Sequence, residues 1–273
     1  MKIKTLVGRF FTLTAVSSLA LMYSCKKDDA TNGQDSLDAI SESLIDAYYE
    51  DADDITITAA QSISSARVAT DDRLCTAPTA SGNQDAGTIV FDFGATGCTD
   101  PRGNVRKGKI TVEYFGGPVG ETDFTLQETF SGYSINGITL QGTRTIVRKE
   151  STGSVISHAI DLAGGKATWP DGTYETRSSS FTRDLDANAG IITLEGEAQG
   201  TNRNGRDYGM IITKPLVYKQ SCVDINKIYM AVEGTKTFTT ERGELLIDFG
   251  TGECDRTITL TANKVTFTLT VNK

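Results

Sequence analysis

Histidine and tryptophan are almost missing from this sequence of 273 residues, which contains one of each. An enzyme that relied on a histidine base would have to route every proton transfer through His158. This histidine alternates with Ile156, Ile160 and Leu162, a pattern that favours a packed or rim position in a strand. Acidic residues are plentiful, yet no spacing singles out an acid and a base. The sequence therefore predicts no catalytic residues and favours a non-enzymatic role.

Basic residues are outnumbered, with 27 Lys and Arg against 35 Asp and Glu and a formal net charge of −8. They also form no basic run along the chain. Such a chain is repelled by phosphate backbones, so we expect no nucleic-acid partner. No Pro- or Ser-rich linker divides the sequence, and its length suits one large all-β domain as readily as two small ones.

The N-terminus lacks a hydrophobic run that could span a membrane, which needs about 20 mainly apolar residues. A basic start and a shorter apolar stretch at 10–23 instead predict a signal peptide over residues 1–24. Ser24 and a lone Cys25 follow, before an abrupt change to charged residues, and this order resembles a bacterial lipoprotein signal. We expect Cys25 to be the lipidated first residue of the mature protein, the alternative being a disulfide cysteine.

Lys27, Asp28 and Asp29 stand two to four positions after this cysteine. They resemble the export tag of surface lipoproteins of the phylum Bacteroidetes, which implies an outer-membrane protein on the cell surface, attached to the membrane by its lipid. The alternative is a charged tether on a protein that faces the periplasm. Residues 25–35 are predicted to be this lipidated tether. Signal removal takes away three basic residues and no acid, so the net charge changes from −8 to −11.

One helical signal follows the tether. From Ser36, a possible N-cap, apolar residues recur at spacings of three and four, and this predicts a helical segment over 36–66 that packs on a sheet. Whether the helix continues through "ITITAAQSIS" is open, because that stretch fits a strand and a helix about equally. The apolar stripe consists of Leu37, Ile40, Leu44, Ile45 and Tyr48.

Strand alternation dominates beyond residue 87. "GTIVFDFG" and "GKITVEYFG" each place apolar side chains on one face, and about a dozen such runs follow one another to residue 271. Short turns between them predict an all-β antiparallel meander, with 67–273 as a single domain whose Thr- and Ser-rich face is wet. A curved, partly open sheet, a barrel and a sandwich all satisfy the pattern. The predicted turns are Asn136-Gly137, 169–172, 188–190 and Asn204-Gly205.

Four cysteines remain after Cys25, and this even number predicts two disulfides in an oxidising compartment. Three pairings are possible. The sequence favours Cys75 with Cys98 and Cys222 with Cys254, because each pair then brackets one of two similar strands, "GTIVFDFGATGC" and "GELLIDFGTGEC", in the same sense. A metal site built from these cysteines would need reduced thiols and more histidine, so no metal or other cofactor is predicted.

The stretch "DLDANAGIITLE" resembles a calcium-binding loop, with Asp184, Asp186 and Asn188 at its first three ligand positions. The glycine of the sharp turn in such a loop is replaced by Ala189, and the flanks alternate like strands. In an extended strand, Glu195 would lie about 17 Å from the turn and could not complete the site. We therefore predict a hairpin turn here, with calcium as the alternative.

The start "SCKKDD", the two "DFG" strands, "RKGKITVEY" and "GTNRNGR" together resemble a group of Bacteroidetes lipoproteins over nearly the whole mature chain. The resemblance implies an envelope location and a β-rich fold, and it carries no activity or site residues. Our leading hypothesis is a non-enzymatic module that binds a glycan or another envelope protein through the wet sheet face. The alternative is a carrier that holds a lipid or other apolar ligand on the concave side of an unclosed barrel, with the helix as lid.

Overall fold

A long N-terminal helix and an antiparallel sheet make up the fold. The computed structural model describes residues 27–64 and 71–273. The sheet contains 14 strands, and a second, short helix lies between two of them. The helices are α1 (Lys27–Ser64) and α2 (Gln220–Asn226), and the strands are β1 (Thr79–Gly82), β2 (Gly87–Asp92), β3 (Cys98–Thr99), β4 (Val105–Phe115), β5 (Thr125–Ile135), β6 (Ile138–Arg148), β7 (Val155–Thr168), β8 (Tyr174–Asp186), β9 (Ile191–Thr201), β10 (Asp207–Lys219), β11 (Glu233–Thr240), β12 (Gly243–Thr251), β13 (Thr257–Ala262) and β14 (Val265–Thr270).

The strands form an open meander. They pair antiparallel in the order β1, β2, β4, β5 and so on to β14, and β3 lies off this path beside the start of β4. β1 and β14 are the two edges and do not pair with each other. The predicted all-β meander is thus confirmed, and of its three possible forms the structure has the open sheet.

The turns predicted from the sequence join successive strands. Asn136 and Gly137 form a two-residue turn between β5 and β6, with φ values of 50° and 85°. Both values lie in the left-handed region, which asparagine and glycine tolerate better than other residues. The turns at 169–172, 188–190 and 204–205 likewise separate β7 from β8, β8 from β9 and β9 from β10.

Glycine bulges bend the middle of the sheet. The pairing register shifts once in each of the pairs β4–β5, β5–β6, β6–β7 and β7–β8. At each shift a glycine with positive φ lies in the unpaired stretch, and such bulges bend a strand and increase its twist. The sheet can therefore curve around α1. These glycines are Gly108, Gly132, Gly142 and Gly164.

α1 is longer than the sequence predicts. It begins at Lys27, so Ser36 lies inside the helix instead of capping it, and most of the expected tether is helical. It also continues through the ambiguous stretch to Ser64, where Ile55 and Ile57 are buried. Enclosure by the sheet favours the helix there, because a helix satisfies its buried backbone groups internally.

α1 is also buried on all sides over much of its length. Every residue from Ser41 to Ile57 is buried, including the acidic ones, whereas the sequence predicts burial of a single apolar stripe. A single apolar stripe suits a helix on a flat sheet, whereas this sheet wraps around the helix and buries all of its sides.

Two strand glycines differ in the space around them, and this difference predicts opposite effects of alanine. A Cβ at Gly200 on β9 would overlap the carbonyl oxygen of Thr176 on β8, whereas nothing lies within 4 Å of a Cβ at Gly209 on β10. We expect Gly200→Ala to lower the free energy of unfolding by about 1–3 kcal/mol through overpacking. Gly209→Ala should leave it unchanged or raise it slightly, because alanine loses less backbone entropy on folding.

Urea unfolding of both variants, followed by circular dichroism, measures the two free energies. Equal losses would contradict the close approach of β8 to β9 at Gly200.

Candidate binding groove

The outer face of the sheet carries a row of mainly polar residues that crosses five strands. Their Cα atoms stand opposite one another from strand to strand. At about 4.8 Å per strand, this first row is about 19 Å long. Its members, from β8 to β12, are Ser178, Gln199, Gly209, Thr239 and Glu244.

A second row runs beside the first, displaced by two residues along each strand, which is about 7 Å. Its side chains point to the same face, because alternate residues of a strand share a face. Ile211 is the most exposed apolar side chain in this row, with 56% of its surface accessible. The members, from β8 to β12, are Ser180, Glu197, Ile211, Thr237 and Leu246.

Every member of the two rows except Leu246 lines an open groove of about 700 Å³. Gly209 contributes no side chain at its centre. Beyond Ile211, β10 leaves its regular pairing with β9, and the register resumes only at Leu216. The missing side chain and the bend of β10 together create the depression on a face that regular strands would make convex.

The groove offers hydrogen-bond donors and acceptors but no positive charge. Serine and threonine hydroxyls, one glutamine amide and two carboxylates line it beside the apolar residues Ala198, Met210 and Ile211. Its lining has no Lys, Arg or aromatic ring. Glu197 and Glu244 have no hydrogen-bond or ion-pair partner among the residues that the structure describes. Both carboxylates are therefore available to a ligand in the groove.

The backbones of these two glutamates lie further apart than the carboxyl groups of a hydrolytic pair. They stand on β9 and β12, three strands apart and in different rows, which separates their backbones by about 16 Å. Glycosidases hold their two carboxyl groups about 5–10 Å apart across the scissile bond. The groove thus has the geometry of a binding surface.

The concave side of the sheet is filled by α1, whose acids meet basic side chains that point inward from the strands. Glu42 and Asp46 share Arg177 of β8 and Lys236 of β11, with N–O distances between 2.6 and 3.0 Å. All four side chains are almost completely buried. Further pairs join Glu50 to Arg183, Asp51 to Arg106, Asp53 to Arg144 and Asp54 to Arg73.

The surroundings decide the charge of each buried acid. Burial alone would raise the pKa of Glu42, but Arg177 and Lys236 outweigh it and lower this pKa to about 2. Glu128 of β5 shows the opposite balance, because burial and the charge of Asp53 raise its pKa to about 8. Thr56 of α1 donates a hydrogen bond to the Glu128 carboxyl group, which lowers the pKa without offsetting burial and Asp53. Glu128 is therefore mostly a neutral acid at pH 7.

Little space remains between α1 and the sheet. Three cavities lined by α1 measure about 20, 20 and 10 Å³, whereas small-molecule sites usually measure about 300–1,000 Å³. His158 lines one of them and is buried, as its strand pattern predicts. Burial, with the charges of Arg183 and Arg148, lowers its pKa to about 3, so the imidazole is neutral.

The predicted anchor lies mostly beyond the part of the chain that can be described. The signal peptide 1–24 and Cys25 fall outside the described residues, and the tag at 27–29 forms the start of α1. Among the described residues, neither helix is both long and apolar enough to cross a membrane.

The four remaining cysteines lie in two pairs at disulfide distance. Cys75 stands beside Cys98 at the start of β3, and their Cα atoms are 6.1 Å apart. Cys222 in α2 stands beside Cys254, with a Cα separation of 4.9 Å. This is the pairing that the sequence favours.

The calcium-loop residues belong to a hairpin, as the sequence predicts. Asp186 pairs with Ile191, and its carboxylate accepts hydrogen bonds from the backbone N–H groups of Asn188 and Ala189. Glu195 lies further along β9, opposite Thr182, and so does not close a loop around Asp184, Asp186 and Asn188. Within residues 27–64 and 71–273, no group of His, Cys, Asp and Glu is arranged to hold a metal ion.

Neither the groove nor the buried ion pairs are predicted from the sequence. The ion pairs leave a readable signal, because Glu42, Asp46 and Glu50 recur every fourth residue, which lays them along one side of a helix. Arg177 and Arg183 occupy positions of β8 that alternate with exposed serines and threonines, which marks them as inward-facing. The groove leaves no comparable signal, since it arises from a shift in strand register.

The neutral acid in the core predicts a pH dependence of stability. The native state keeps a proton on Glu128 up to a pKa of about 8, whereas the unfolded chain releases it near 4.5. Uptake of this proton in the native state stabilises the fold. The stabilisation is complete below pH 4.5 and is lost as the pH rises towards 8. Glu128→Gln cannot ionise and keeps an oxygen for Thr56. Its free energy of unfolding should therefore rise relative to that of the wild type by about 3 kcal/mol between pH 5 and pH 8.

Urea unfolding at a series of pH values measures this gain. Glu113→Gln, on the exposed face of the neighbouring strand β4, is the matched control and should keep the wild-type profile. A profile of Glu128→Gln parallel to that of the wild type would show that Glu128 is ionised in the core.

Comparison of the chain with models of known protein families, with curated proteins and with solved structures finds no match. No activity, ligand or partner is therefore transferred from a relative.

Proposed function

We propose that this protein is a lipid-anchored, non-enzymatic module of the bacterial cell envelope that binds a neutral glycan chain in the groove across β8–β12. The observation that carries the proposal is the pair of rows of hydroxyl, amide and carboxylate groups exposed opposite α1. Sugars present hydroxyl groups at regular intervals along a chain. Each of these can donate to a carboxylate or amide oxygen and accept from a hydroxyl or amide N–H.

The negative charge of the groove limits which glycans can bind there. Glu197 and Glu244 line the groove without any Lys or Arg, and the whole chain carries a net charge of −8. Uronate or sulfate groups would be repelled, whereas neutral hydroxyl groups can donate hydrogen bonds to both carboxylates. Exposed Ile211 adds an apolar contact for the C–H face of a sugar ring.

Two other ligand classes fit less well. Binding energy in protein interfaces is concentrated in Trp, Tyr and Arg, and none of these lines the groove. A lipid carrier needs an interior cavity, and α1 with its ion pairs occupies that position. We therefore propose a glycan as the ligand, in preference to an envelope protein. A lipid is the alternative, and binding it would require α1 to leave the sheet.

The membrane attachment in this proposal rests on the sequence. We infer lipidation at Cys25 and, from Lys27, Asp28 and Asp29, display on the outer face of the outer membrane, with a periplasm-facing anchor as the alternative. Because α1 begins at Lys27, a helix would connect the lipid to the sheet in place of a flexible tether. Such a connection would hold the module close to the membrane surface.

Isothermal titration calorimetry of the full chain tests the groove. The probes are neutral malto-, cello-, xylo- and chito-hexasaccharides, with an oligogalacturonate as the anionic comparison. We expect at least one neutral series to bind and the oligogalacturonate to fail. Gly209→Tyr would place a ring in the open centre of the groove and should weaken neutral binding by about tenfold or more.

Thr129→Tyr is the matched control, because Thr129 is exposed on β5, outside the groove. It should bind like the wild type. Failure of every neutral probe, or equal binding by Gly209→Tyr, would remove the groove as a glycan site.

Protease treatment of intact cells tests the location. We expect the wild type to be digested and a variant with alanine at Lys27, Asp28 and Asp29 to be protected, because the tag would direct export. Cys25→Ser should leave the membrane fraction, since it has no thiol to carry the lipid. If the wild type and the tag variant are both protected, the protein faces the periplasm and the surface part of the proposal is wrong.

A further inference from the structure

The free edge of β14 exposes a row of backbone hydrogen-bonding groups. β13 and β14 are joined by the two-residue turn Asn263-Lys264, so Ala262 and Val265 exchange the first pair of backbone hydrogen bonds. In such a ladder every second residue of β14 points its N–H and C=O away from β13. These residues are Thr266, Thr268 and Thr270.

The hydroxyl groups support this assignment of the ladder. Thr261 and Thr266 face each other, and their Oγ1 atoms lie 2.9 Å apart. Side chains come this close at the positions that do not exchange backbone hydrogen bonds. Among the described residues, no segment pairs with the outward groups of β14.

The inner side of this edge is incompletely covered. Val265, Phe267 and Leu269 alternate with the threonines, and Val265 is 52% exposed, whereas Phe267 and Leu269 are half-buried against the core. An additional strand would cover them with its own alternating apolar side chains. The other edge strand, β1, has the sequence "TASG" and offers no such apolar row.

β14 also lacks the features that usually protect an edge. Natural edge strands carry inward charges, proline or bulges, and "VTFTLT" contains none of them. The charges stand at its two ends instead: Lys264 lies in the turn before it and Arg256 lies beside its end. Lys273 also follows this end, and its ammonium donates hydrogen bonds to the carbonyl oxygen of Arg102 and to Asn104 Oδ1. The free edge is therefore a neutral strand between two positive ends.

These charges distinguish two strands that could pair with the free edge of β14, one from a second copy of this chain and one from another protein. A second copy would pair antiparallel around Thr268 and bring the Lys264 turn of each copy to the end of the other copy that carries Arg256 and Lys273. Like charges in neighbouring cross-strand positions destabilise the pairing. A segment with an acidic residue at each end would instead meet both positive ends with opposite charge.

We propose that β14 accepts an extended segment of another protein as an additional strand, with alternating apolar residues on its inner side and an acidic residue at each end. The added strand exchanges backbone hydrogen bonds with Thr266, Thr268 and Thr270 and covers Val265, Phe267 and Leu269. This interaction uses a surface separate from the groove and does not depend on glycan binding.

Fluorescence anisotropy of a labelled synthetic peptide with the full chain tests the proposal. The peptide alternates valine with threonine and has an aspartate at each end. We expect saturable binding, and we expect Thr268→Pro to weaken it by about tenfold or more, because proline removes the central outward N–H group. The Thr268 N–H does not bond to β13, so the variant should keep the wild-type circular dichroism spectrum and melting temperature.

Thr268→Val is the matched control and should bind within about twofold of the wild type, because it keeps the backbone N–H. A peptide with lysine in place of both aspartates should bind about tenfold more weakly at low salt, and Lys264→Glu should reduce this difference. Gly209→Tyr, which fills the groove, should bind the peptide normally.

Three results would overturn the proposal. Equal peptide binding by folded Thr268→Pro would show that the edge is not used. Equal binding of the aspartate and lysine peptides would remove the charge argument. A wild-type dimer in sedimentation analysis that becomes monomeric in Thr268→Pro would show that a second copy occupies the edge.

Discussion

The pairing of buried acids on α1 with inward-facing basic side chains is the interaction on which the rest of the structure depends. A helix that carries this many carboxylates cannot be enclosed unless its charges are compensated, because an unpaired buried charge costs several kcal/mol. Arg177 and Lys236 each contact both Glu42 and Asp46, so one cluster of four charges fixes two strands against one turn of the helix. Apolar residues of similar volume could contribute as much stability, but they would not define one alignment of helix and sheet so sharply.

This arrangement determines where a ligand can bind. Since α1 fills the concave side, the outer face and the free edges are left as the surfaces available to a partner. The irregular stretch of β10 lies between Met210 and Leu216, which are both buried against the interior. The same bend that lets β10 follow the core therefore opens the groove on the opposite face. The curvature needed to enclose the helix and the shape of the candidate site have one structural origin.

Local features of this fold are predictable from the sequence, whereas features that depend on enclosure are not. Asn136-Gly137 predicts its turn because the positive φ values are a requirement of those two residues alone. The helical state of 55–64 depends on burial by distant strands. Glu42 and Asp46 look solvated in the sequence because acidic residues are seldom fully buried. The groove depends on the register shift after Ile211, and strands rich in threonine, serine and glycine specify register weakly.

The groove and the free edge belong to one continuous outer face. The second row of the groove ends at Leu246 on β12, which pairs with Thr261 on β13, which in turn pairs with Thr266 on β14. A strand added beside β14 would lengthen this row by one position, about 14 Å beyond the last strand of the groove. A glycan chain and an added strand could therefore occupy the sheet together without contact between them. Because α1 holds the curvature from the inside, neither ligand has to reshape the sheet in order to bind.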